Sequence, residues 1–419
     1  VRTLKEFRAA LKRRAEDRAL RKAPSPYGVA LFDSIHYVNA DAWDAIVPPE
    51  RLFQQRRYLA ALEACKPDDI AFRYAMLFDG NRPVAAINAQ LIEMSGAAVG
   101  NRVAKDGDTS SLKNLASKVK GAAFKAADKI ETRVLLCGNA WVTGEHGFSY
   151  VADADPKTIF DGLAEALYRM RRADKLDGQV AALLVKDFPA EDEDTHPADE
   201  LERFGYKRFA VDPQMVVPLR DWQSFDDYLA AMTGKYRRRV KSARKKGGQL
   251  QRAELDEAGV TTATDWMHDM LDAVASKASL RLTTHPRHYF TALKQALGDQ
   301  FRVFTYSLDD KIVGFRTTIY NHDSIEGHYL GLDYEHNTKH AIYQNILYDY
   351  VQDGIDARAK NLWLGRTALE IKSAIGAVAR PMRCFLRHRN PVGNRAVKPL
   401  FKFIKPTPWT PRNPFDTTD

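Results

Sequence analysis

No stretch of the 419-residue chain approaches the roughly 20 unbroken apolar residues that a membrane-spanning helix needs, so no transmembrane segment is expected. Cysteine is scarce. Cys65, Cys137 and Cys384 lie far apart with no CxxC spacing, which excludes a disulfide framework and a cysteine zinc site. Two of the three fall in apolar strand-like runs, where a thiol acts as a small hydrophobe, so a reducing compartment is expected. HExxH, GxSxG, a Walker loop and GxGxxG are all missing in a usable context, which leaves hydrolase, kinase and dehydrogenase chemistry without motif support. His285 and His288 flank Pro286 with no third ligand in sequence, so no metal is expected. The segment from Val1 to Lys22 has no apolar core and carries Glu6, Glu16 and Asp17, unlike a secretory signal, which makes the cytoplasm the expected location.

What is present is an ordinary globular composition, 45% hydrophobic and 28% charged, in a chain longer than one core usually organises. Two domains of about 200 residues each are the natural expectation. Sixty-three Lys and Arg against 54 Asp and Glu give a formal charge of +9, which favours an anionic or phosphate-bearing partner through long-range attraction. Leu4, Phe7 and Leu11 recur at helical spacing, so residues 1–26 read as an amphipathic surface helix.

One plan of elements occurs twice. In the clearer second copy, 221–390, helical pattern runs from Phe225 through a basic stretch and stops at Gly247 and Gly248, followed by a short strand. Two more helices, at 264–276 and 286–297, precede a hairpin of 301–307 and 312–320. A strand at 324–332, a loop at 333–339, a long helix from His340, a strand at 361–364, a short helix and a last strand at 382–387 complete the order. The first copy, 27–220, follows a similar course: a strand at 27–38, helices at 42–65, a hairpin of 70–78 and 83–93 around Asp79, Gly80 and Asn81, and a small-residue insertion at about 95–130. After it come a strand at 133–142, a glycine-bearing loop, an amphipathic helix at 156–174, a buried strand at 179–185 and a strand at 214–219. Residues 391–419 form a basic, proline-containing arm with Phe401, Phe403 and Trp409, expected to pack across the body because an exposed aromatic series would be a solubility liability.

The most distinctive run is Gly327 to Gln344, GHYLGLDYEHNTKHAIYQ, where a strand end, a polar loop and a helix start meet. A helix N-terminus offers unpaired N–H groups and a positive dipole end to a phosphate or an oxyanion. With the order of helices, antiparallel meander, strand, loop, long helix and strand, this junction resembles GNAT acetyltransferases, in which it cradles the pyrophosphate of acetyl-CoA. The glycine-rich Q/RxxGxG/A signature is replaced here by Glu335, His336, Asn337, Thr338, Lys339 and His340, and the chain is therefore more similar to the Fem-type branch, which uses aminoacyl-tRNA. The resemblance implies an α/β fold of two tandem GNAT-like domains, each a mixed, mostly antiparallel sheet flanked by helices. It implies transfer of an acyl or aminoacyl group from acyl-CoA or aminoacyl-tRNA to an amine, a cell-wall precursor being the acceptor that the Fem branch suggests.

Several segments carry residues suited to that chemistry. In the loop CGNAWVTGEHGF, Glu145 next to His146 offers a base for an amine nucleophile, with Asn139 beside them; the alternative is a tight turn whose glycines take positive φ while both side chains face solvent. Asp333 and Glu335 offer the same role in the second half, with Tyr329 or Tyr334 returning a proton and His328, Asn337 and Lys339 in the same wall. Lys186 and Asp187 follow one buried strand, Arg366 the matching one; a cation at either strand end suits an oxyanion, the alternative for Arg366 being an i,i+4 salt bridge to Glu370. Glu370 and Lys372 are assigned to that wall. Lys235, Arg237, Arg238, Arg239, Lys241, Arg244 and Lys245 form the densest charge run, with Tyr236 and Val240 as a core-facing stripe. Such a run commonly opens the second domain of Fem-type proteins, and tRNA phosphate is the partner it implies; a catalytically silent double-GNAT protein holding RNA is the other reading.

Overall fold

The computed structural model describes residues 24–95, 131–175, 178–190, 196–275, 283–401 and 408–415, with the single positions 19 and 406. The helix expected over 1–26 and the insertion at about 95–130 lie almost wholly outside the described residues. No helix among the described residues is long and apolar enough to cross a membrane.

The first half runs β1 (Gly28–Phe32), α1 (Ala40–Asp44), α2 (Arg56–Cys65), β2 (Ile70–Asp79), β3 (Arg82–Ser95), β4 (Glu131–Cys137), β5 (Phe148–Tyr150), α3 (Pro156–Ala173), β6 (Val180–Pro189) and β7 (Lys207–Pro218). Gly80, at φ +56°, takes the left-handed turn of the β2–β3 hairpin. Helix α3 starts where Asp155 accepts the Thr158 N–H and a proline follows, and it buries Ile159, Phe160, Leu163, Leu167 and Met170 along one face. The second half runs α4 (Phe225–Ala231), α5 (Gly234–Lys246), β8 (Gln251–Leu255), α6 (Glu257–Ala275), α7 (Tyr289–Leu297), β9 (Phe301–Leu308), β10 (Lys311–Asn321), β11 (Ser324–Leu332), α8 (Tyr334–His340), α9 (Ile342–Asp356), β12 (Asn361–Trp363), α10 (Leu369–Ser373), β13 (Val378–His388) and α11 (Pro391–Leu400). Asp309 and Asp310, both at positive φ, turn β9 into β10, and a reciprocal capping box of Ser224 and Asp227 starts α4.

Four expectations are corrected. The initial strand stops at Phe32, and a 3-10 turn at Ile35–Tyr37 follows, because Glu63 accepts the Ser34 hydroxyl and the Ile35 N–H and bends the chain back onto α2. The polar loop at 333–339 is instead helix α8, capped by Asp333, which accepts the Glu335 N–H at 2.9 Å. Strand β7 begins at Lys207 and α6 at Glu257, both earlier than the hydrophobic pattern indicated. The arm contains α11, and its end is anchored: Phe415 is buried against Trp222 and Tyr228, with the Arg220 guanidinium 4.6 Å from its ring.

All the described strands join one mixed sheet, in the order β1-β2-β3-β4-β6-β13-β7-β12-β11-β10-β9-β8, with β5 pairing β3. Two neighbouring pairs are parallel, β4 with β6 and β11 with β12, and they occupy matching places in the two halves. At the centre each half gives its last strand away. First-half β7 pairs with β12, second-half β13 pairs with β6, and β7 and β13 pair with each other. A boundary near Arg220 therefore divides the sequence but not the sheet. On one face the halves also share an apolar core, in which Tyr58, Leu59 and Leu62 of α2 meet Tyr289, Phe290 and Leu293 of α7.

Candidate active site

The two parallel pairs open at their C-terminal ends, and there the polar residues collect. Strands β11 and β12 pair only from Ser324 with Asn361 to Glu326 with Trp363; β12 then ends while β11 runs on. Just past that point β11 carries a bulge: Gly327 faces Thr318 and Tyr329 faces Thr317, leaving His328 as the extra residue that bends the strand.

In the first half, β4 leaves β6 after the Cys137–Val185 pair, and Lys186 and Asp187, expected to follow the strand, lie instead inside β6, which runs on to Pro189 beside β13. Lys186 lies across Gly138, where an added Cβ would come within 2.8 Å of the lysine side chain, so the close approach requires glycine. The ammonium donates to the carbonyls of Asn139, at 2.8 Å, and Val142, and pairs with Asp187 at 2.9 Å. Asp187, fully buried and in the left-handed region at φ +63°, also accepts the Gly144 N–H at 3.0 Å and an Arg366 N–H at 2.5 Å. Burial pushes its carboxyl up, but Lys186 and Arg366 outweigh that and hold it at about 2. Two cations and one carboxylate leave this triad with one surplus positive charge.

Glu145 and His146 do not act on each other. Arg51, which the sequence reading did not single out, places its Nε 3.0 Å from Glu145 and donates to the His146 carbonyl at 2.6 Å. The His146 ring stacks on Phe188 at 4.3 Å, and burial, followed by the Arg51 charge, holds it well below the ordinary imidazole range. Burial raises Glu145 despite Arg51.

Glu326 is the other residue that was missed. Partly buried at the strand opening, it has no hydrogen-bond or ion-pair partner among the described residues. Burial raises its pKa well above the usual carboxylate range and the charge of Glu145 adds to the effect. Its one sequence signal was an acidic residue inside a β-branched and aromatic strand. Beside it His328, whose pKa is pushed down to about 3 by burial and by His285, meets the Tyr289 hydroxyl at 3.0 Å. That hydroxyl lies 3.4 Å from the Tyr58 hydroxyl, to which Asn139 donates at 3.1 Å, so a polar chain crosses between the halves. Tyr329 closes the same junction by donating to the Trp141 carbonyl.

The remaining candidates lie elsewhere. Asp333 is seven residues beyond Glu326, about 23 Å along an extended strand, so the Asp333 and Glu335 candidates stand away from the strand opening at Glu326. Asp333 meets His336 at 3.1 Å and Lys311 at 3.7 Å, while Tyr334, Glu335 and Lys339 are exposed. Asp333, Glu335 and His336 have donor atoms within 4.8 Å of one another. Asn337 accepts the Tyr343 N–H at 2.9 Å, so one N–H of the first turn of α9 is already occupied by this chain. Arg366 pairs with Asp187, not Glu370, which binds Arg412 at 2.8 Å. Lys372 is buried, donates to the Leu364 carbonyl at 2.5 Å behind the Arg366 turn, and burial pushes it down to about 7. On α5, Tyr236 and Val240 face the core as expected, but two of the cations turn inward. Arg237 closes the preceding turn by donating to Leu229 and Met232, and Arg244 pairs with Asp349 at 2.6 Å. Lys235, Arg238, Arg239, Lys241, Lys245 and Lys246 stay exposed as a stripe.

Residues 234–373 match the family model described as an acetyltransferase (GNAT) domain. Among solved structures the chain is similar to FemX, with a TM-score of 0.50 and 11% identity over 85% of this chain and 96% of that one. It is equally similar to a tandem GNAT protein from the clavulanic acid biosynthesis pathway, solved without AcCoA, with a TM-score of 0.50 and 10% identity over 87% of this chain and 99% of that one. No curated protein matches it in sequence. At these identities the likeness is one of fold.

Proposed function

From a chain with a GNAT domain in a Fem-type tandem fold, we propose an N-acyltransferase that moves an acyl or aminoacyl group from a carrier, acyl-CoA or aminoacyl-tRNA, to an amine. The observation that carries this reading is Glu326: a carboxyl with a raised pKa and no described cation partner, where β11 and β12 part. A carboxylate destabilised by burial is a stronger base than one in water, which is what a base for an ammonium nucleophile requires. Glu326 removes one ammonium proton, the amine nitrogen attacks the carrier's carbonyl carbon, and the tetrahedral intermediate collapses to the amide as the departing sulfur or ribose oxygen takes up the second proton of the nitrogen. The surplus positive charge of Lys186, Asp187 and Arg366, at the matching strand opening of the first half, steadies the developing oxyanion. The replacement of a glycine-rich loop by Glu335 to His340 before α9 favours aminoacyl-tRNA as the carrier, and the exposed stripe on α5 fits its phosphates.

The test is transfer of labelled acyl groups from acetyl-CoA and from charged tRNA to a panel of amines, with Glu326→Gln alongside. Transfer that the variant loses supports the reading; wild-type protein inert with both carriers, or a fully active variant, refutes it. The exposed α5 stripe also supports a second reading, an RNA-binding protein without catalysis. That reading predicts steeply salt-dependent tRNA binding with no transfer.

A further inference from the structure

At the opposite end of the first-half sheet lies a cavity of about 200 Å³ lined by Arg171, Arg172, Lys175, Gln179, Val180 and Arg389. From Val180 to Lys186, β6 spans six residues, about 20 Å of extended strand, so this cavity is remote from the strand opening described above. Three of its four cations, Arg171, Arg172 and Lys175, belong to the last turn of α3 and the two residues after it, and the fourth, Arg389, comes from the far end of the chain just past β13. A fifth, Arg387, stands beside them over the ring of Tyr206. No described carboxylate pairs with any of the five. Burial and the charges of Arg387, Arg172 and Arg389 hold Arg171 below its ordinary guanidinium range against the pull of Tyr168, as expected for like charges gathered together.

Compensation of the α3 dipole accounts for basic residues in its last turn. It does not account for Arg389, which belongs to another element, or for a cavity between them. We infer that this cavity is a binding site for a small phosphate-bearing anion of about diphosphate size. The volume is below the roughly 300 Å³ at which pockets begin to enclose whole drug-sized ligands, so it suits the charged group alone. Three guanidinium forks and an ammonium match an anion that carries several oxygens and more than one charge better than a single carboxylate. The site stands apart from the acyl-transfer reading and does not depend on it.

The experiment is calorimetric titration of the full chain with sodium diphosphate at about 50 and 200 mM salt. The Arg171→Gln/Arg389→Gln double variant is run beside it, with Arg82→Gln on the β2–β3 hairpin as the control. Saturable one-to-one binding that weakens with salt, falls at least tenfold in the double variant and is unchanged in the control is the expected result. No saturation, a double variant equal to wild type, or an equal loss in the control overturns the proposal. A single-stranded oligonucleotide separates the sources of phosphate: if it binds through Arg171 and Arg389 while diphosphate does not, the small-ligand assignment fails. Thermal melting without anion checks the fold, since relief of repulsion should leave the double variant melting no lower than wild type. A melting point several degrees lower, with no response of the wild type to diphosphate, would mean that the cations only close the helix end.

Discussion

Asp187→Asn is the substitution whose effect follows most directly from the structure. The carboxylate is fully buried, held at about 2, and is the counter-charge of both Lys186 and Arg366. Asparagine can still accept the Gly144 N–H, but it leaves two cations facing each other out of water; removing one partner of a buried ion pair costs about 3–5 kcal/mol. The pH dependence gives a second check. A carboxyl whose pKa is lowered on folding contributes stability above its unfolded value near 3.8, and the contribution disappears as pH falls through about 2. At about 1.4 kcal/mol per pH unit the full effect is about 2.5 kcal/mol, of which about 1 kcal/mol is gone by pH 3. Urea denaturation followed by tryptophan fluorescence and by circular dichroism at pH 7 and pH 3 measures both, coincident transitions showing that the halves unfold together. The gap between wild type and variant should be several kcal/mol at pH 7 and about 1 kcal/mol smaller at pH 3. An equal gap at both values, or no gap at pH 7, would refute the assignment of Asp187 as the charged centre of the junction.

Glu326→Gln should lower acyl transfer by about 10²- to 10⁴-fold in steady-state kinetics. Because the charge of a carboxyl with a raised pKa opposes folding, its melting temperature should hold or rise; a large loss of stability would mark a structural role instead. Lys372 is pushed down to about 7 from an ordinary 10.5, so between those values the unfolded chain binds more protons and stability rises with pH. From pH 7 to 9 that gain is about 2 kcal/mol, and Lys372→Met should abolish it in denaturation curves. Phe415→Ala should cost about 3 kcal/mol in the same assay, since it removes the ring that Trp222, Tyr228 and Arg220 share; a neutral result would mean that the arm is not anchored there.

Local signals made most of the elements legible. The β2–β3 hairpin announces itself through Asp79, Gly80 and Asn81, α3 through its apolar stripe, and α5 through the Tyr236 and Val240 spacing. Helix α8 reads as a loop in sequence because its polar residues offer no apolar face, and the Asp333 cap starts it. The active-site candidates were half visible. Polar residues at strand ends could be picked out one by one, so Lys186, Asp187 and Arg366 were found. Their shared ion pair could not, because it joins residues 179 positions apart. Arg51 carries no signal at all, since its role depends on a chain reversal that brings it to Glu145. Glu326 was overlooked because one acidic residue in a strand reads as a solvent-facing position until a second half of the molecule covers it.

The exchange of closing strands sets a timetable for the newly made chain. Strand β6 is complete at Pro189, yet the neighbour that covers its open edge, β13, ends at His388. At about 5–20 residues per second, synthesis of the roughly 200 residues between them takes about 10–40 s. For that interval the first half presents an unpaired, largely apolar β edge to every other nascent chain on the same message, and β7 lacks both of its partners. The protein's yield in a cell should therefore depend on elongation speed and on chaperone supply more than its finished stability suggests.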